Sequence, residues 1–141
     1  QLYDNDFFEW TQCNAALLRA GRFDQADIEH IAEEIEDMGK RDRRELVSRL
    51  EVLIQHLLKW RAQPEKRSPS WRRTIRIQRR ELAELLGEMP SSQPALSTNL
   101  GKAYEGGVDK ASLETDLAED SFPASCPFTV DQILDLDFLP D

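Results

Sequence analysis

The stretch Arg41–Trp71, with His56-Leu57-Leu58-Lys59-Trp60 at its heart, decides how the chain is read. From Arg41 to Ala62 the apolar residues Leu46, Leu50, Leu53, Leu57 and Trp60 recur at alternating steps of four and three. A second row, Val47, Ile54 and Leu58, lies beside the first. At the turn angle of an α-helix the two rows merge into an apolar face roughly 160° wide. A surface helix that meets one neighbour needs less. This spacing predicts a central helix wrapped by others.

Working outward from it, Asp6-Phe7-Phe8-Glu9 has the spacing of a capping box, and a first helix is expected from there to a stop at Gly21. Asp24 can cap a second helix carrying Ile28, Ile31, Ile35 and Met38, with Gly39 as its end. On that helix Glu29, Glu33 and Glu36 share a flank and His30 falls on the exposed side; a carboxylate metal site would want a Glu-x-x-His pair on a partner helix, and the chain has none. Pro64 closes the central helix. Ser68 or Ser70 caps a fourth, whose stripe is Trp71, Ile75, Leu82, Leu86 and Met89, and Pro90 ends it. Pro94 opens a fifth helix that Gly106-Gly107 is expected to weaken or end. Thr129-Val130-Asp131-Gln132 is another capping-box pattern, and the proline- and aromatic-rich tail from about 119 to 141 should dock on the helices. No alternating apolar run or hairpin signal is present. The expectation is a single all-α domain over 1–141, a bundle of about five to seven helices with a docked C-terminal tail.

Composition narrows the class. With 141 residues, 40% hydrophobic and 32% charged, the chain can bury a core and still expose much helix surface. No apolar run is long enough to cross a bilayer. Cys13 and Cys126 have neither CxxC spacing nor a His cluster nearby, so a reduced, cytoplasmic protein is expected, with a disulfide between them left open. The net charge of −9 conceals three blocks. Residues 1–39 hold ten acidic and two basic side chains, 40–80 hold four acidic and fourteen basic, and 81–141 hold thirteen acidic and two basic. Such a pattern predicts either an anion-binding surface or acidic ends folded over a basic middle, and the second is the expectation.

The order of motifs resembles the bacterial domain-of-unknown-function family 29. The likeness is carried by Tyr3-Asp4, Asp6-Phe7, Trp10, Leu17-Leu18-Arg19, Ala32-Glu33-Glu34-Ile35-Glu36 and Met38-Gly39 in the first third. It continues through His56-Leu57-Leu58-Lys59-Trp60, Ser70-Trp71-Arg72, Thr74-Ile75-Arg76, Ala103-Tyr104, Phe122-Pro123, Cys126-Pro127-Phe128 and Ile133-Leu134-Asp135. The resemblance implies a small helical protein without an assigned activity, so no catalytic residue comes with it. Gly106-Gly107 departs from the helix-favouring stretch expected there.

Three functional readings follow. The first is a non-enzymatic protein–protein interaction or self-association module, with a homo-oligomer or a protein as partner. The second is a metal-independent endoribonuclease using Arg49 and His56, seven apart on one helix flank; that spacing resembles the motif of helical HEPN ribonucleases, where a guanidinium holds the phosphate and an imidazole moves a proton. The third is nucleic-acid binding through Arg72, Arg73, Arg76, Arg79 and Arg80, with Lys59 a further phosphate- or partner-binding candidate. Lys59-Trp60 and Ser70-Trp71-Arg72 are expected to meet as a cation–π cluster where the third and fourth helices turn. Neither a cofactor motif nor a metal-ligand spacing is present.

Overall fold

The computed structural model describes residues 1–141, entirely as helices, turns and loops with no strand, and six α-helices. It divides into two compact units, Gln1–Asp42 and Arg43–Asp141.

In the first unit, α1 (Leu2–Asn5) is followed by α2 (Phe7–Arg19), and Asp6 caps α2 by accepting from the Glu9 N–H at 3.0 Å. Gly21, at φ 73°, turns the chain out of α2 in the left-handed region. The next helix, α3 (Ile28–Ala62), is capped by Asp27 rather than Asp24: Asp27 Oδ1 accepts from the His30 N–H. Trp10 and Asn14 are the two buried residues of α2, and they hold this start in place. Trp10 Nε1 donates to Asp27 Oδ2 at 2.9 Å, and Asn14 Oδ1 accepts from the Asp27 N–H at 2.8 Å.

His30 is not on a bare face. Its ring stacks on Tyr3 with centroids 3.8 Å apart, and its Nδ1 donates to Asp27 Oδ2 at 2.7 Å. Tyr3 in turn donates to Glu34 at 2.7 Å, which pushes its hydroxyl up to about 12. The hydrogen bond to Asp27 raises His30 above the ordinary imidazole range, and the bond from Trp10 lowers Asp27 below the carboxylate range. His30's contribution to stability is therefore complete below its unfolded value, about 6.5, and is lost as pH rises through the raised folded value. That of Asp27 is present above about 3.9 and is lost as pH falls through its lowered value. The chain's other histidine, His56, is half-buried, and burial lowers it. Proton NMR of the two imidazoles should give His30 a midpoint above about 6.5 and His56 one below it; the reverse order would contradict the Tyr3–His30–Asp27 arrangement.

Gly39 does not end a helix. It carries no positive φ, and α3 runs through it without a break for 35 residues. One glycine in a helix interior costs about 1 kcal/mol relative to alanine, and the Lys and Arg residues that follow are good helix formers. Residues 38–45 are exposed on every side of the helix.

In the second unit the expected apolar rows of α3 form the core. Leu46, Leu50, Leu53, Ile54, Leu57, Leu58 and Trp60 pack with residues of α4 (Pro69–Glu88) and α5 (Gln93–Thr115), and with Phe122, Phe128 and Ile133 of the C-terminal segment. Thr129 and Gln132 complete the capping box of α6 (Val130–Leu134). Gly106-Gly107 does not stop α5, which continues to Thr115 and ends on Asp116 at φ 61°. At the glycines α5 lies close against α3: a Cβ on Gly107 would lie 2.8 Å from Ile54 Cγ2. Cys13 is exposed and Cys126 half-buried, both as free thiols.

Candidate anion-binding site

Where α3 hands over to α4, Pro64–Lys66 forms one 3₁₀ turn, Arg67 follows in extended conformation, and Ser68 caps α4 by accepting from the Trp71 N–H at 3.2 Å. Pro69 fits the first position of the helix, where no N–H is needed. This tight connection brings Arg67 back over the end of α3. Its Nε donates to the Trp60 carbonyl at 2.7 Å, and its guanidinium carbon sits 4.9 Å from the centroid of the Trp60 ring. Arg72, on the first turn of α4, lies over the same ring at 5.4 Å. Lys59 stands 4.6 Å over the ring of Trp71 and is ion-paired with Glu114, whose carboxyl it holds below the usual range. The expected cation–π cluster is present, and it includes one residue not anticipated, Arg67.

Beside Trp60 the surface opens into a cleft of about 420 Å³ lined by Trp60, Arg67, Ser68, Pro69, Arg72, Arg73 and Arg76. Arg72, Arg73, Arg76 and Arg80 are exposed, and none has a carboxylate oxygen within 4.0 Å. The acidic ends therefore form no ion pair with these four side chains, although the C-terminal segment comes beside Arg72 and Arg76 at Asp137. Of the acidic residues that follow α5, Asp137 shares a hollow with Arg72, Arg76 and Arg79, whereas Glu119 and Asp120 border a separate hollow with Glu105 and Asp109. There the hydrogen bond between Glu119 and Asp109 raises Glu119.

Arg79 is set apart from its neighbours in sequence. It is 2% exposed; its Nε donates to the Ile133 carbonyl at 2.7 Å and its Nη2 to the Gln132 carbonyl at 3.3 Å. The same wheel that groups the arginines could have separated it, since Ile75, Arg79, Leu82 and Leu86 follow at 4, 3, 4 on the buried face. Arg67 had a weaker signal, a single basic residue directly before a helix cap.

Arg49 and His56 have different partners. Arg49 pairs with Glu45 at 3.1 Å and reaches Gln78 and Glu81 of α4 at 3.4 and 3.9 Å. His56 Nδ1 donates to the Val52 carbonyl at 2.9 Å, which leaves Nε2 unprotonated in the neutral ring, and the charges nearest it are Lys59 and Glu114. Neither residue lines the arginine cleft. No three His, Cys, Asp or Glu side chains come together as metal ligands, and no helix is long and apolar enough to cross a membrane. The cleft contains no carboxylate, imidazole or thiol, and its one hydroxyl already serves as a cap.

The chain belongs to the family described as domain of unknown function DUF29, whose sequence model matches residues 2–139. No curated protein and no solved structure matches it.

Proposed function

We propose that this member of the domain-of-unknown-function family DUF29 is a non-enzymatic protein–protein interaction module that self-associates through the N-terminal half of α3. The observation that carries the reading is the imbalance of the unit Gln1–Asp42. Of the eleven large hydrophobic residues that stand exposed, eight fall in these 42 residues, among them Phe8, Phe23, Ile28, Ile35 and Met38. A unit with so little interior has apolar surface left to cover.

Charge favours a second copy as the cover. From Asp27 to Asp37 the chain carries six carboxylates and no Lys or Arg, whereas residues 40–44 carry four basic side chains and one acidic. Two copies crossing antiparallel near Gly39 lay the acidic stretch of each along the basic stretch of the other; a parallel pair would set like against like. Ile28, Ile35 and Met38 lie on one helix face, and the space around Gly39 is open. The contact is isologous and closes as a two-fold dimer. Partial burial of three half-exposed side chains per copy must exceed an association cost of at least about 4 kcal/mol, so the dimer is concentration-dependent.

Light scattering across a dilution series should give a mass that rises from one chain toward two. Ile35→Glu should hold it at one chain, and added salt should loosen the wild type. A mass of one chain at every concentration up to about 100 μM, in the range of weak contacts, would remove the proposal.

A further inference from the structure

Independently of self-association, we propose that the cleft at the turn between α3 and α4 is a binding site for a phosphate dianion, free or carried as a phosphomonoester. Four guanidinium groups line this one cleft, those of Arg67, Arg72, Arg73 and Arg76, with no carboxylate among its walls. Asp137 lies in a neighbouring hollow that shares Arg72 and Arg76, and it makes no ion pair with either. Arg72 and Arg76 are four apart and Arg73 and Arg76 three apart on α4, spacings at which like charges oppose helix formation. An anion seated between them reverses the sign of that interaction.

The donors are partly ordered before any ligand arrives. Arg67 is fixed by the Trp60 carbonyl, and Arg67 and Arg72 both rest on the Trp60 ring. Less side-chain freedom is then lost on binding. Trp60 itself is buried beneath these two groups, so its ring serves as a platform for guanidinium groups and leaves no open face for a base. Ser68 and Pro69 have already closed the end of α4, so recognition falls to the side chains.

The charge of the ligand follows from the count of donors. A carboxylate offers one negative charge and two oxygens. A phosphomonoester offers close to two charges and three oxygens, which the forked guanidinium matches. A polyanion fits less well, because the rest of a chain with net charge −9 repels it and Arg80, further along the same face, lies outside the cleft. The volume of about 420 Å³ exceeds what a phosphate group fills, leaving room beside Pro69 for a small organic group that carries it.

Calorimetry on the full chain with inorganic phosphate, phenyl phosphate and benzoate at constant ionic strength tests this. Saturable binding of phenyl phosphate is expected, weakening as pH falls below the second phosphate pKa of about 6. Arg72→Gln and Arg76→Gln should each weaken it at least about tenfold, and Arg80→Gln by less than about twofold. Arg76 does not touch Trp60, so its variant keeps the test sound even if Arg72→Gln disturbs the turn; unchanged far-ultraviolet dichroism checks both. Phenyl phosphate binding more tightly than inorganic phosphate identifies a monoester ligand, and equal binding identifies the free ion. The proposal is overturned if benzoate binds as well as phenyl phosphate or if Arg80→Gln weakens binding as much as Arg76→Gln. It is overturned also if a single-stranded RNA binds in preference, with the steep salt dependence of a phosphate track.

Discussion

Gly107→Val is expected to destabilise the chain by about 3 kcal/mol, whereas Gly106→Ala should change its stability by less than about 1 kcal/mol. The two positions are adjacent in α5 but face different neighbours. A Cβ on Gly107 would press on the β-branched Ile54 at 2.8 Å and on the backbone carbonyl of Glu51 at 3.3 Å. Ile54 is fully buried in the C-terminal half of α3, where the close packing of the core resists its displacement. Overpacking of this kind exceeds the propensity gained by replacing a helical glycine. At Gly106 the obstacle is the Glu51 carboxylate, the far end of a flexible side chain, which can yield at the expense of its ion pair with Lys110. Urea unfolding of both variants is the measurement. Equal losses, or a Gly107→Val protein as stable as wild type, would mean that the two helices are not pressed together here.

Arg79→Ala is expected to cost about 4 kcal/mol and Arg79→Met about 2 kcal/mol. The larger value includes a long buried side chain removed as well as the Ile133 carbonyl left without a donor, while the Gln132 carbonyl keeps the Asp135 N–H. Met keeps the stem and isolates the hydrogen bonds. A compensating effect works the other way: burial lowers the pKa of Arg79, so part of its charged-state solvation has been given up and is recovered on substitution. Asp135 and Asp137 offset some of that penalty. With charge-assisted bonds to carbonyls contributing roughly 1.5–3 kcal/mol each, loss prevails. Thermal unfolding of Arg79→Met within about 0.5 kcal/mol of wild type would show that Arg79 does not anchor α6.

The core of α3 was legible because burial of Leu46, Leu50, Leu53 and Leu57 is written as a period, and a period needs no knowledge of partners. Gly39 and Gly107 misled for a shared reason. A glycine that ends a helix and one that lets a helix continue past a neighbour, or through open solvent, are the same letter. Only φ and the surroundings tell them apart. His30 was misplaced because its companions include Tyr3, which is brought to it by α1 and not by helix spacing. Arg72, Arg73 and Arg76 were visible as charges, but which groups would oppose them was not. That depends on where the acidic residues beyond α5 come to rest.

Each of the three tryptophans has a different electrical neighbour. The Trp10 ring nitrogen faces a carboxylate, Trp60 lies beneath two guanidinium groups, and Trp71 lies beneath an ammonium. Since indole emission shifts with the field across the ring, the chain contains its own set of spectroscopic probes. Trp10→Phe would leave emission from the helical turn alone, and light from Trp60 would register whatever settles on its two arginines.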